Sequence, residues 1–236
     1  MSEASALQHH FASLEQQKEA STLGMWAFLV TEILFFGGLF TTYTVYRYLY
    51  HGAFVAGSHH LDWQLGGINT AVLICSSLTM AMAVHTAALG FHRATALWIL
   101  ATIGLGSVFL GIKVKEYSEK IVPCFADPGT NLAKGRRAFE GCLVPGPRFD
   151  GETLHLEGED AGRVQIYFSL YFGMTGLHAV HMIIGIPILL ILAVLASRGR
   201  YGPKYSTPVE MTGLYWHFVD IVWIFLFPLL YLVGHR

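Results

Sequence analysis

Glu32 places an ionisable side chain inside an apolar run, with Trp26-Ala-Phe-Leu-Val before it and Ile33-Leu-Phe-Phe after it. A carboxyl there can be held neutral by hydrogen bonds from neighbouring helices, or it can handle protons or meet lipid; the sequence alone leaves both open. Two further apolar stretches carry paired polar residues. His178 and His181 are three apart and share a helix face, as do His217 and Asp220. Trp216 and Trp223 add a seven-residue aromatic stripe to the second stretch, expected at a subunit interface or in an interfacial belt. Paired histidines can ligate haem or metal. A dinuclear carboxylate centre, however, wants Glu-x-x-His on two helices, and a bis-histidine haem takes its ligands from facing helices. Neither pattern is present, so hydrogen bonding between helices is the expected role and no resident cofactor or metal is expected.

These groups need a membrane bundle to position them. Of 236 residues, 53% are hydrophobic and only 13% charged, against roughly 25% charged in soluble domains, and the mean hydropathy is +0.48. No long basic block suggests nucleic acid. Five stretches reach the ~20 apolar residues that a spanning helix needs: about Gly24–Tyr50, Gly66–Gly90, Ala94–Val114, Val164–Ser197 and Val209–Val233. The expectation is an all-α polytopic bundle, residues 24–236, preceded by a polar tail over 1–23 that lacks the layout of a cleavable signal. Trp26, Trp63, Tyr48 and Tyr231 lie near span ends, where a belt would put them. Asn69, Thr70, Ser76, Ser77 and Thr79 are expected to join helices, and Cys75 to pack.

Lys18, Arg93, Arg198, Arg200 and Lys204 fall on the N-terminal side of the membrane, against Arg47 and Arg236 on the other. The excess favours a cytoplasmic N-terminus, although Lys113, Lys115 and Lys120 argue the other way. The C-terminus and a long loop at about 117–163 would then be periplasmic. Glu116 and Tyr117 would close the third span at the outer interface and Glu210 open the fifth at the inner one. Within the loop, residues 152–157 suit a short strand, and Cys124 and Cys142 are placed to pair if the compartment is oxidising.

Several of these features occur together in one family. Tyr215-Trp-His-Phe-Val-Asp-Ile-Val-Trp223 resembles the signature of cytochrome c oxidase subunit III. Thr175-Gly-Leu-His-Ala-Val-His181 with Ile183-Ile-Gly185, and Gly24-Met-Trp-Ala-Phe28 with Glu32 and Phe35-Phe-Gly37, are similar to two more of its helices. Ile68-Asn-Thr70, His85 with Arg93, and Glu116-Tyr117 follow in family order. The resemblance implies a non-catalytic subunit of a proton-pumping haem–copper oxidase in a bacterial inner membrane. Its partners would be subunit I, which carries haem and copper and reduces oxygen to water, subunit II, and other subunits of the respiratory complex. Phospholipid binding and support of proton uptake are also implied. On this resemblance Glu32 matches a carbodiimide-reactive carboxylate and His181 a histidine close to it, whereas depth alone also admits His85 and His217. Many relatives have seven helices; two that would precede Gly24 are not in this sequence, so the lipid cleft is expected open or covered by another subunit. A quinol oxidase subunit or a nitric oxide reductase accessory protein fits the same motifs, and the neighbouring catalytic subunit would discriminate them. A small proton-coupled transporter is disfavoured because no repeated halves are evident.

A Cys124–Cys142 bond would close a loop of about 19 residues, a length for which chain entropy gives about 3 kcal/mol. Mass spectrometry of non-reduced peptides is expected to find the cross-linked pair. Free, alkylatable thiols at both positions would refute it.

Overall fold

Ser13-Leu-Glu-Gln16 is a helix-start signature, and in the computed structural model the first helix begins there. The structure describes residues 7–59, 61–125, 159–203 and 205–233. Ser13 Oγ accepts from the Gln16 backbone N–H at 3.2 Å, while Gln16 Oε1 accepts from the Ala12 N–H at 2.8 Å. Helix α1 therefore spans Leu14–Leu49, and the latter part of the expected polar tail is helical. The polar residues there did not prevent a helix because the cap satisfies its first N–H groups. A short α2 (His51–His59), absent from the expectation, follows. Then come α3 (Trp63–Leu89), α4 (His92–Phe125), α5 (Glu159–Ser197) and α6 (Thr207–Tyr231). Five of these helices are long and apolar enough to cross a membrane. The chain is a polytopic helical bundle.

Helix α3 ends where Gly90 takes a left-handed φ of 82°, and α5 where Gly199 takes 73°. In each the next N–H reaches back, Phe91 to the Thr86 carbonyl and Arg200 to the Leu195 carbonyl, the Schellman closure that glycine permits. The α5–α6 connection tucks Tyr201 inside, and that burial pushes its hydroxyl up to about 12. Helix α4 outruns the expected Val114 boundary because the charges that suggested an end, Lys113 and Glu116, are paired inside the bundle. At 39 residues, or roughly 58 Å at about 1.5 Å per residue, α5 exceeds the ~30 Å hydrocarbon thickness and must protrude. Cys142 and residues 152–157 lie outside the described residues, so the expected clasp and strand do too.

Helices α3, α4, α5 and α6 each pack on two of the others and close a four-helix ring, with α1 against α6 and α5, and α2 mainly against α5. Burial follows the three-and-four spacing of such seams. On α3 the stripe is Asn69, Leu73, Ser76, Met80, Ala83 and Ala87. On α6 it is Val209, Gly213, Trp216, Asp220 and Trp223. Helix α6 is the hub and α1 the outrigger: half of the apolar span of α6 is buried, against 11% for α1.

Large residues enter this core where small ones make room. Trp216 sits against Gly106 and Gly185, where an added Cβ would lie 3.0 and 2.9 Å from its ring. Trp216, Trp223, Tyr231 and Glu116 are thus core residues, not belt or interface groups as expected, while Tyr117 is half-buried. Cys75, expected to pack, is exposed. At the far end α6 leaves carbonyls without helical partners. Tyr43 of α1 donates to the Leu229 carbonyl, and Tyr167 of α5 donates to the Leu230 carbonyl at 2.7 Å.

Gly185→Ala is expected to force apart α5 and Trp216 and cost about 1–3 kcal/mol. Gly111→Ala, which meets no neighbour within 4 Å, should be neutral or slightly stabilising. Thermal unfolding of the purified protein in detergent compares them; equal stability of the two variants would contradict this packing.

Candidate functional site

Glu32 lies on α1, the spanning helix that packs outside the four-helix ring among the described residues. Its Oε2 is 3.2 Å from Nε2 of His181 on α5, with the histidine side chain 16% exposed and the carboxyl side chain 19%. The other ring nitrogen, Nδ1 of His181, lies 2.8 Å from the Leu177 carbonyl oxygen. A carbonyl can only accept, so Nδ1 carries a hydrogen. In a neutral ring Nε2 is then an acceptor, and the short contact to Glu32 needs one further proton. Either Glu32 is the acid and donates, or the ring is an imidazolium and donates to a carboxylate. Both forms hold one proton between α1 and α5.

The surroundings fix this pair. Tyr215 of α6 donates its hydroxyl to the His181 carbonyl at 2.9 Å, and the Phe36 ring centroid is 5.5 Å from that of His181. Beside them Met25, Phe28, Ile184, Ile188, Thr212 and Tyr215 line an open groove of about 360 Å³ with His181 on its wall. The groove is overwhelmingly apolar, which suits hydrocarbon chains with a polar contact at one point. At the N-terminal end of α6, Glu210 accepts from Ser206 and faces Lys18 of α1 at 3.5 Å, a second polar tie between α1 and the ring.

A different polar cluster fills the opposite half of the core. Lys113 Nζ donates to Glu116 Oε2 at 2.7 Å, and both side chains are at most 5% exposed. Tyr171 and Tyr231 each donate to Glu116 Oε1 at 2.8 Å, and Lys113 also reaches the Tyr231 hydroxyl. The ammonium stands 4.5 Å from the Trp223 ring centroid, with the rings of Tyr117, Tyr171 and Tyr231 around it. Tyr117 hydrogen-bonds Thr175. Among the described residues these donors and acceptors come from α4, α5 and α6, so the cluster is a buried clamp on three helices.

The paired residues of the sequence part company. His181 turns to α1, while His178 points into the core between Phe109 and Trp223, whose ring centroids are 5.4 and 5.1 Å away. His217 Nδ1 is 2.7 Å from Ser77 Oγ, whereas Asp220 is buried without a hydrogen-bond partner among the described residues. Trp216 and Trp223 donate their indole N–H groups to Ser76 at 2.8 Å and Thr70 at 3.2 Å, and Thr79 meets Thr102 at 2.8 Å. Four of the five expected joining residues of α3 therefore do join helices. Asn69 is buried but makes no side-chain hydrogen bond among the described residues. His85 is exposed on α3 and is not bonded to Glu32. Among the described residues no three His, Cys, Asp or Glu side chains are grouped to hold a metal ion. Counting positive charges for orientation does not single out Lys113 as a site residue; the opposite charge at Glu116, three positions on, is the signal in the sequence that could.

A family model described as cytochrome c oxidase subunit III matches residues 162–235, which hold α6 and nearly all of α5. The chain is 31% identical over 227 residues to quinol oxidase subunit 3 of Bacillus spizizenii, covering 94% of this chain and 93% of that one. It is 32% identical over 214 residues to cytochrome c oxidase subunit 3 of Thermostichus vulcanus, covering 89% and 86%. Cytochrome c oxidase subunit 3 of Corynebacterium diphtheriae is 28% identical over 214 residues, covering 90% and 87%.

A hydrophobic carbodiimide reaches a carboxyl through an apolar medium, so the half-open Glu32 is expected to react and the sealed Glu116 to stay unmodified. Peptide mass spectrometry after labelling in membranes reads both sites. Modification of Glu116 in preference to Glu32 would contradict the assigned geometry.

Proposed function

The chain belongs to the subunit III family of haem–copper oxidases, and on that membership we propose that its Glu32–His181 pair serves proton handling and lipid contact at the edge of an oxidase complex. The observation that carries this reading is the pair itself, a carboxyl and an imidazole at 3.2 Å beside an apolar groove. A sealed structural carboxyl would look like Glu116 instead. The groove offers room for an acyl chain, and the shared proton offers a polar group within reach of it. Glu210 and His217 support the pair indirectly, by tying α6 to α1 and α3, while His178 and Asp220 lie in the core and His85 stands apart from the pair.

The chain is a multi-pass membrane protein and part of an oxidase complex. In the proposed complex it packs against subunit I, which holds the haems and copper, reduces oxygen to water and pumps protons. Subunit II completes the core, and phospholipid fills the groove. The family resemblance supports these partners, and the positive charges near the membrane support a cytoplasmic N-terminus in a bacterial inner membrane. Within the chain, residues 1–23 lead into a membrane unit over 24–236 with its long external segment between α4 and α5. The electron donor is cytochrome c or quinol; the relatives divide between oxidases named for each.

Affinity purification of the tagged chain from native membranes is expected to bring down a haem- and copper-bearing subunit with oxidase absorbance. Deleting the chain should leave measurable oxygen reduction in the remaining subunits. Purification of a stable, solitary chain with no oxidase bound would overturn the proposal.

A further inference from the structure

Among the described residues, three side chains are buried with every polar atom unpartnered: both side-chain atoms of Asn69, both ring nitrogens of His178 and both carboxyl oxygens of Asp220. They are 0%, 1% and 2% exposed and come from three helices, α3, α5 and α6. Their neighbours are not similarly loose. Ser76, Thr70, Thr79, Thr102, Lys113 and Glu116 all have hydrogen-bond partners in the same core. The unsatisfied groups also lie at similar depths in the ring. Trp223 donates to Thr70, the residue after Asn69, and its ring lies 5.1 Å from that of His178. Asp220 precedes Trp223 by three positions on the same buried stripe, a rise of about 4.5 Å. The three therefore sit at neighbouring levels of the ring, with the His178 ring against the Trp223 indole.

Hydrocarbon supplies no hydrogen bonds, so polar groups at this depth must find partners inside the protein. Buried polar groups that protein does not satisfy are, as a rule, satisfied by ordered water, which makes about three hydrogen bonds. We propose that Asn69, His178 and Asp220 together hold ordered water inside the four-helix ring, beside Trp223. The chemistry favours a neutral occupant. The Lys113 ammonium stands 4.5 Å from the same indole ring, which opposes a cation, and the Asp220 carboxyl opposes an anion. Water alone matches an amide, an imidazole and a carboxyl at once, because it donates and accepts. The site is distinct from the Glu32–His181 pair, since it faces the centre of the ring and that pair faces α1.

A structure of the protein in its native assembly, at a resolution that shows ordered solvent, tests this directly. The expected result is at least one water in hydrogen-bond distance of the Asp220 carboxyl and of the His178 ring or the Asn69 amide. A carboxyl bonded directly to protein, or a dry site, would overturn the proposal. Thermal midpoints of two variants give an independent reading. Asp220→Asn, which keeps hydrogen-bonding groups of the same size, should stay near wild type. Asp220→Leu should lower the midpoint by several degrees, because it strands the water and its remaining partners. A dry site predicts the reverse order, since removing unsatisfied oxygens would then stabilise the fold, and Asp220→Leu above wild type would sink the idea. The water site does not depend on oxidase membership, so either can fail without the other.

Discussion

A bilayer core offers apolar side chains to pack against but nothing to hydrogen-bond, and that constraint shapes this chain. Apolar contact alone cannot hold helices together in such a solvent, because lipid tails compete for it. What remains is close packing and polar pairing, and α6 concentrates both. Its indoles donate to Ser76 and Thr70 of α3, His217 meets Ser77, and its Tyr231 donates to Glu116 of α4. Glycines on α4 and α5 admit Trp216 between them. The motif that identifies the family is therefore also the seam that assembles the fold.

The same constraint separates two kinds of acid. Glu116 is wrapped by a lysine and two tyrosines, has no opening to lipid, and serves to clamp α4, α5 and α6. Such a buried pair gives little net stability, since desolvation offsets its attraction, but it leaves few alternative ways to dock the helices. Glu32 has one hydrogen-bond partner among the described residues, a half-open position and an apolar groove beside it. A carboxyl at this depth costs the bundle more than a leucine would, and that cost is the physical argument for a role beyond packing.

The spans and the family were legible because hydropathy and the Tyr215–Trp223 run are local signals. Element ends were less so. The start of α1 depended on Ser13 and Gln16 overriding a polar composition, and the end of α4 on a Lys113–Glu116 pair that only tertiary packing can bury. Trp216, Trp223 and Tyr231 were misplaced because an aromatic near a span end reads equally as belt or core until the facing glycines and hydroxyls are known. For Glu32, the family resemblance singled out His181, while spacing along the helices also admitted His85 and His217. Helical position fixes depth but not azimuth, and azimuth decides which side chains meet.

The proposed role of Glu32 makes a distinction that assembly alone does not. In the Glu32→Gln complex the amide keeps the size and a hydrogen bond to His181 but cannot exchange the shared proton. The decisive measurement is protons translocated per electron, together with the number of turnovers before inactivation, in that complex with its subunits intact. Normal assembly with altered proton uptake or a shortened operating lifetime is the predicted result. Wild-type values on both counts would contradict it and reduce Glu32 to a packing residue.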